Sequence, residues 1–298
     1  MQYRKLGKSN LLVSVIGFGC MSLQMNDSEN DKLIIKAINS GINFFDTADI
    51  YQNGENEIYL GKAVKHLRDK IIIATKVGNK IKKDGSGLEW DASKKHILSA
   101  VEQSLKRLQT DYIDLYQLHG GTIDDPIDET IDAFEMLKQQ GKIRHYGISS
   151  IRPNVIREYV KRSNIVSAMM QYSILDRRPE ETCFNLLEQN NIRVLARGSV
   201  AKGLLIDKPA EKYLNHDVAN VYKAAEAVAQ LSNEKRNKAQ TALRYALNEK
   251  IVSSAVVGIR TMAQLEEAIQ TVDSPELTAD QIKYLKNILP ANYYEQYR

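Results

Sequence analysis

Short apolar segments alternate with amphipathic segments of helical length from residue 13 to about residue 270. The apolar segments predict eight strands, which are Val13–Phe18, Ile42–Phe45, Ile71–Thr75, Tyr112–Leu118, His145–Ile148, Ala168–Met170, Ile192–Ala196 and Ser254–Val257. Between them, apolar residues recur at intervals of three and four, as in Ile127, Ile131 and Phe134. This spacing is typical of a helix with one buried face. A strand followed by a helix, repeated about eight times, predicts a parallel sheet covered by helices.

The repeat count favours a closed barrel over an open, doubly wound sheet. Eight β/α units in 298 residues match the usual size of a (β/α)8 barrel of the TIM type. No Pro-, Gly- or Ser-rich linker divides the chain. We therefore predict an α/β fold in which residues 1–298 form a single barrel domain.

Additional elements are predicted at the edges of the barrel. Met1–Val15 predicts an N-terminal β-hairpin, residues 219–249 predict two helices, and Thr278–Leu289 predicts a closing helix. The helix near residues 126–140 has clear end signals, with Asp125 as N-cap, Pro126 at its first position and Gly141 just beyond its end.

Composition and charge exclude several classes of protein. The chain has 43% hydrophobic residues and a net charge of only +4, from 41 basic and 37 acidic side chains. A balanced charge gives no support for nucleic acid or a membrane surface as partner, and no apolar run reaches about 18 residues. Two cysteines, Cys20 and Cys183, fit a reduced protein better than a disulfide framework. We expect a soluble, cytoplasmic protein that is a monomer or a weak oligomer.

Titratable side chains follow three consecutive predicted barrel strands. Asp46 follows the second strand, with Tyr51 in the loop beyond it, Lys76 ends the third, and His119 ends the fourth. Each has a structural explanation on its own: a helix cap, a packed ring, a lysine reaching solvent or a core histidine. Since functional residues of such barrels lie at the C-terminal ends of the strands, their coincidence favours a catalytic site.

These four side chains suit the protonation of an oxygen that gains negative charge. A phenol titrates near pH 10, so we expect the Lys76 ammonium to lower the pKa of Tyr51 and Asp46 to keep Lys76 charged. His119 is placed to orient a substrate oxygen. Reduction of a carbonyl by hydride is such a reaction, and it needs a nicotinamide or flavin.

A phosphate-binding signal lies near the end of the predicted barrel. Gly17-Phe18-Gly19 lacks the third glycine of a Rossmann fingerprint. In contrast, Gly258–Thr261 leads from the last strand directly into a helix and contains an arginine, Arg260. Backbone N–H groups at a helix N-terminus together with Arg predict an anion site.

Six segments, taken together, resemble the aldo-keto reductase family in order and spacing over essentially the whole chain. They are Phe44–Tyr51, Ala74–Lys76, Leu108–His119, Gly141–Ser149, Met170–Ser173 and Gly258–Glu267. The resemblance implies NADPH-dependent reduction of aldehydes or ketones, with a tetrad of Asp46, Tyr51, Lys76 and His119 in which Tyr51 donates the proton.

The resemblance also implies a cofactor site along the barrel rim. Ser149 and Gln171 would bind the nicotinamide carboxamide, and Gly19 and Met21 would lie beneath the ribose. The full predicted set of cofactor contacts is Gly19, Met21, Asp46, Ser149, Gln171, Arg197, Gly198, Ser199, Lys202, Gly258, Arg260, Thr261, Gln264 and Glu267.

Three positions depart from the family pattern. Ser150 stands where an Asn is frequent, Ala268 stands where an Asn contacts the adenine, and Arg197 stands where a Tyr stacks on the nicotinamide. A guanidinium stacked there would favour reduced over oxidised cofactor, because only the oxidised ring is positive. Arg260 is placed to face a 2′-phosphate, which favours NADP(H) over NAD(H). No metal site is predicted, because the remaining histidines have no ligand spacing.

Two alternatives remain open on the sequence. One is a non-catalytic NADP(H)-binding or redox-sensing subunit built on the same barrel. The other is an unrelated phosphate-binding barrel that uses Lys76 as a Schiff-base amine. The carbonyl substrate is not identified by the sequence, since specificity resides in loops. The predicted specificity loops are Gly78–Trp90, Gly120–Asp125, Gly203–Asn220 and Ala291–Arg298.

Overall fold

The computed structural model describes residues 1–24, 29–82 and 84–298. The strands in these ranges are β1 (Tyr3–Lys5), β2 (Leu12–Ser14), β3 (Ile16–Gly19), β4 (Phe44–Asp46), β5 (Ile72–Val77), β6 (Asn79–Ile81), β7 (Leu88–Trp90), β8 (Ile113–His119), β9 (Ile143–Ser149), β10 (Ser167–Gln171), β11 (Arg193–Arg197) and β12 (Val252–Gly258). The α-helices are α1 (Glu29–Asn39), α2 (Glu55–Val64), α3 (Lys94–Leu108), α4 (Ile127–Gln139), α5 (Pro153–Arg162), α6 (Cys183–Gln189), α7 (Val218–Gln230), α8 (Lys238–Asn248), α9 (Met262–Gln270) and α10 (Ala279–Asn287).

Eight parallel strands close into a barrel in the order β3-β4-β5-β8-β9-β10-β11-β12. Each of the eight predicted apolar segments overlaps one of these strands, and the predicted (β/α)8 fold is confirmed. Side chains such as Phe44, Leu115 and Leu195 fill the barrel and are fully buried. A filled barrel has no channel, so chemistry is confined to its ends.

The predicted N-terminal hairpin, β1–β2, covers the lower end of the barrel. Leu6 and Val13 are fully buried against the side chains that fill the barrel. The apolar segment Val13–Phe18 does not form one strand, because Ser14 exchanges hydrogen bonds with Asn43 and the chain passes there from hairpin to barrel.

The extra helices lie where the sequence predicts them, as α7, α8 and α10. Their first turns are capped by side chains, and α8 has a complete capping box between Asn237 and Gln240. Such a cap satisfies N–H groups that the helix itself leaves without partners. Gly141 follows α4 with φ of 74°, the left-handed conformation expected beyond a helix end.

The predicted start of α4 is wrong by one residue. Asp125 does not cap α4, because its carboxylate accepts hydrogen bonds from Thr122 and from the Trp90 indole, and Pro126 occupies the cap position. The predicted specificity loop Gly78–Trp90 contains the antiparallel pair β6–β7.

Candidate active site

Three neighbouring strands and one loop bring the predicted catalytic side chains together. Asp46 ends β4, Lys76 lies near the end of β5, and His119 ends β8, and these strands are adjacent in the barrel. Tyr51 begins a short 3-10 turn after β4, whose next two residues, Gln52 and Asn53, are left-handed.

The Lys76 ammonium is the centre of this group. Its Nζ donates hydrogen bonds to Asp46 Oδ2 at 2.6 Å and to the Thr47 carbonyl at 2.7 Å, and it lies 3.4 Å from Tyr51 Oη. Lys76 is only 1% exposed. Burial alone would lower the pKa of Lys76, but Asp46 and Tyr51 outweigh it and hold that pKa above its ordinary value. Lys76 is therefore a buried cation at neutral pH.

The effect of Lys76 on the pKa of Tyr51 has the expected sign, but burial decides the net shift. Burial raises the pKa of the Tyr51 phenol above its ordinary value, and Lys76 opposes this rise without reversing it. The phenol therefore keeps its proton at neutral pH. The Lys76 ammonium lowers the cost of ionising Tyr51, but burial of the phenol outweighs this effect.

His119 lies beside Tyr51 and is neutral at physiological pH. Burial, with the nearby charges of Lys76 and Arg197, lowers the pKa of His119 to about 3. The ring meets Tyr51 edge-on, with centroids 6.0 Å apart. A neutral imidazole can donate a hydrogen bond, but it carries no extra proton to transfer.

Two contributors to this group are absent from the sequence prediction. Gln117 Nε2 donates to Asp46 Oδ1 at 3.3 Å from a fully buried position, and the Thr47 carbonyl accepts from Lys76. Alternation along β8 could have identified Gln117, which lies two residues before His119 on the same face. A backbone carbonyl has no such signal.

The predicted nicotinamide contacts lie at the ends of the next three strands. Ser149, Gln171 and Arg197 end β9, β10 and β11 respectively. The Gln171 amide donates to Tyr213 Oη at 2.7 Å and accepts from Arg197 Nη1 at 3.1 Å. Sequence reasoning missed Tyr213, because it lies in a loop far from Gln171 along the chain.

The segment after β11 has features of a phosphate-binding loop. Gly198 and Lys202 are left-handed, with φ of 70° and 59°. Ser199 is 4% exposed, and its buried hydroxyl has no hydrogen-bond partner among the described residues. An orphaned hydroxyl in a turn of this kind fits a group rich in acceptor oxygens.

The segment after β12 supplies a second set of predicted contacts. Gly258 and Arg260 are exposed, and Thr261 caps α9 by accepting from the Gln264 N–H. The Gln264 side chain accepts from the Arg260 N–H at 2.9 Å. No ion pair within the described parts of the chain involves Arg260.

The remaining predicted contacts have mixed surroundings. Gly19 ends β3, and Met21 is 64% exposed in the turn that follows it. The Glu267 carboxylate accepts a hydrogen bond from Asn237, the N-cap residue of α8. Taken together, the exposed arginine, the capped helix and the orphaned Ser199 hydroxyl fit a dinucleotide laid across the rim.

Residues 1–24, 29–82 and 84–298 contain neither a cluster of metal ligands nor a helix that could cross a membrane. In these ranges no three His, Cys, Asp or Glu side chains are grouped so as to hold a metal ion. No helix there has the length and apolar character needed to cross a membrane.

Comparison with known proteins agrees with this geometry. The sequence profile described as "Aldo/keto reductase family" matches residues 15–290. The uncharacterized oxidoreductase YqkF of Bacillus subtilis is 48% identical, with 100% of both chains covered. L-galactose dehydrogenase of Arabidopsis thaliana is 30% identical, over 93% of this chain and 89% of the relative. The holo form of aldo-keto reductase AKR11C1 from Bacillus halodurans superposes with a TM-score of 0.94 at 50% identity, covering 100% of this chain and 99% of that one. The chain therefore belongs to the aldo/keto reductase family and is an oxidoreductase.

Proposed function

We propose that this protein reduces aldehydes or ketones to alcohols with NADPH. The observation that carries the proposal is the bridging position of the Lys76 ammonium, 2.6 Å from Asp46 Oδ2 and 3.4 Å from Tyr51 Oη. A charged lysine next to a neutral phenol is the arrangement that delivers a proton to an oxygen gaining negative charge.

Each side chain of the group has a separate role. When bound, NADPH supplies the hydride that the carbonyl carbon receives. Tyr51 donates its phenolic proton to the carbonyl oxygen, and Lys76 stabilises the phenolate left behind. Asp46 keeps Lys76 charged, and neutral His119 donates a hydrogen bond that orients the substrate oxygen. Solvent then returns a proton to Tyr51.

The cofactor is proposed to lie along the ends of the strands from β9 to β12. Ser149 and Gln171 bind the carboxamide, the turn containing Gly198 and Ser199 binds the pyrophosphate, and Arg260 contacts the 2′-phosphate. Support for a bound dinucleotide comes from the orphaned Ser199 hydroxyl. The 50% identical relative is described as a holo form, which agrees with a bound cofactor without naming it.

Turnover can be measured directly by following absorbance of the reduced nicotinamide. The purified protein is mixed with NADPH and a panel of aldehydes, ketones and sugars, the last included because one relative is described as an L-galactose dehydrogenase. We expect saturable NADPH oxidation with at least one carbonyl compound. Tight NADPH binding without turnover on any of them would favour a non-catalytic, cofactor-binding subunit. Trapping of Lys76 by borohydride would favour a Schiff-base enzyme.

The preference for NADPH over NADH depends on Arg260. We predict that Arg260→Ala weakens NADPH binding by about 10–100-fold, the usual value of a charged hydrogen-bond pair, and leaves NADH binding nearly unchanged. Fluorescence titration measures both dissociation constants, and Lys161→Ala, at an exposed position on α5, is the control. An equal loss of affinity for both cofactors would contradict the proposed contact between Arg260 and the 2′-phosphate.

We also propose that residues 1–298 act as one domain, as a monomer or weak oligomer in the cytoplasm. Cys20 and Cys183 are both buried and unpaired, which fits a reducing compartment. We expect thermal unfolding to occur in one cooperative transition that does not change when a reductant is added.

A further inference from the structure

The end of the barrel opposite Tyr51 contains a pocket with basic walls. It has a volume of about 340 Å³, against about 30 Å³ for one water in the liquid. We call it the floor pocket, and its polar lining consists of Arg4, Lys5, Asn191, Arg193, Lys250 and Ser253.

The floor pocket is separate from the proposed active site. Its residues come from β1 and from the beginnings of β11 and β12, whereas Asp46 and His119 lie at the other ends of the barrel strands. A filled barrel lies between the two ends. A ligand in the floor pocket therefore contacts neither the tetrad nor the predicted cofactor residues.

The charges in the floor pocket are all of one sign. Four of its lining residues are cationic, and none is acidic. Among ion pairs between described residues, only one involves this lining, a 3.9 Å contact between Arg193 and the exposed Glu188. Like charges held together in a concave site create a potential that attracts anions.

The Arg4 guanidinium is held in place by two backbone carbonyls. Its Nη1 donates to the Val252 carbonyl at 2.6 Å, and its Nη2 donates to the Leu247 carbonyl at 3.0 Å. A guanidinium has five N–H groups, so others remain for a ligand. Burial lowers the pKa of Arg4, Glu276 opposes this, and the neighbouring cations Arg244 and Arg193 lower it further. A bound anion would relieve this repulsion.

The polar wall beside Arg4 is also ordered. Ser253 is 1% exposed, and its hydroxyl donates to the Lys5 carbonyl at 2.9 Å. This bond joins β1 to β12 at the wall of the pocket. Asn191 is left-handed, with φ of 52°, at the turn before β11.

We propose that the floor pocket binds a compact, multivalent oxyanion of the phosphate type. Arginine forks match the paired oxygens of such anions, and lysines add charge without demanding one geometry. The anion is either free phosphate or pyrophosphate, or the phosphate group of a small ester. The site is independent of the proposed reductase activity.

The test is a titration followed by backbone amide NMR at constant ionic strength. Pyrophosphate, inorganic phosphate and glycerol phosphate are added separately to the full-length protein. We expect saturable shifts at the amides of Gly7, Asn191 and Ser253, and the tightest of the three probes identifies the source of the anion. Shifts confined to residues 198–203 and 258–261, or no saturable shift with any probe, would overturn the proposal.

A pair of variants with equal charge separates a site from general attraction. Arg193→Gln/Lys250→Gln should weaken binding at least about tenfold, the loss expected for charged hydrogen bonds. Lys161→Gln/Lys223→Gln removes two exposed charges from α5 and α7 and should bind like the wild type. Equal weakening in both double variants would show diffuse attraction and contradict the proposal. If the first double variant fails to fold, Lys5→Gln, at an exposed side chain, replaces it with the same expected direction.

Discussion

Behind Lys76 lies a second group of buried charges that the proposed mechanism does not use. Glu57 is fully buried and accepts hydrogen bonds from Thr75 Oγ1 at 2.6 Å and from Arg107 Nε at 2.7 Å. Asp49 lies nearby, and its buried Oδ1 has no hydrogen-bond partner among the described residues. Burial, followed by repulsion from Glu57, raises the pKa of Asp49 to about 7.

This carboxyl should make stability depend on pH. Asp49 is protonated in both folded and unfolded chains at low pH, but above its ordinary pKa the unfolded chain releases the proton more easily. The contribution of Asp49 to the unfolding free energy should therefore fall as pH rises from about 4 to about 7, by about 1.4 kcal/mol for each unit of pKa difference.

Asp49→Asn removes this titration and should be more stable than wild type at pH 8 but not at pH 4. Thermal unfolding of both proteins between these pH values measures the difference. Asp124→Asn, at an exposed loop position, is the control and should track the wild type. A stability difference for Asp49→Asn that does not change with pH would contradict the assigned pKa.

Arg197 should set the preference for reduced over oxidised cofactor. Its guanidinium lies beside Gln171, and its charge reaches Tyr51 and His119. Replacement by Tyr removes positive charge next to the proposed nicotinamide position, so the ratio of the NADP⁺ to NADPH dissociation constants should fall. Arg197→Lys keeps the charge and should keep the ratio. An unchanged ratio in Arg197→Tyr would count against this placement of the ring.

Hydrophobic spacing predicted the helices and barrel strands, which form because their apolar faces are buried. It did not predict features that depend on a single contact between side chains. The barrel strands are short apolar segments between amphipathic helices, so burial on both faces identifies them. The pair β6–β7 has three apolar residues among six, and none of the six is buried, so no burial pattern marks it. Asp is a residue type favoured at helix N-caps. The carboxylate of Asp125 instead accepts a hydrogen bond from the Trp90 indole, which comes from a distant part of the chain. Contacts of this kind cannot be obtained from local sequence.

Packing between helices gives a prediction opposite to helix propensity. Ala is usually better than Gly inside a helix by about 1 kcal/mol. A Cβ at Gly61 of α2 would lie only 2.6 Å from the backbone of Leu108 at the end of α3. We expect Gly61→Ala to lose about 1–3 kcal/mol of unfolding free energy, as overpacking does. Chemical denaturation measures this loss, with the exposed Lys62→Ala as control. A stabilised Gly61→Ala protein would show that α2 and α3 are not in close contact.

The sequence predicts the side chains that meet at one end of the barrel but not the pocket at the other end. The tetrad was predictable because parallel strands bring their C-terminal residues to one rim, so Asp46, Lys76 and His119 are close despite their separation along the chain. The floor pocket collects basic residues from three separate segments, at positions 4 and 5, 193 and 250, and no long run of charge marks them. The order of the strands around the barrel creates both sites. That order follows from the sequence pattern as a whole, and no single segment indicates it.

The proposed reaction depends on proton donation from Tyr51 to the carbonyl oxygen. The most direct measurement is kcat of Tyr51→Phe on the best substrate of the panel, together with the dissociation constant of NADPH. The substitution removes one hydroxyl and little volume, so NADPH affinity should be unchanged, while kcat should fall at least about 100-fold, as loss of a general acid does. Tyr222→Phe, at an exposed position on α7, should keep wild-type kcat. A Tyr51→Phe enzyme that retains more than about a tenth of wild-type kcat, when loss of a general acid predicts less, would show that Tyr51 is not the proton donor.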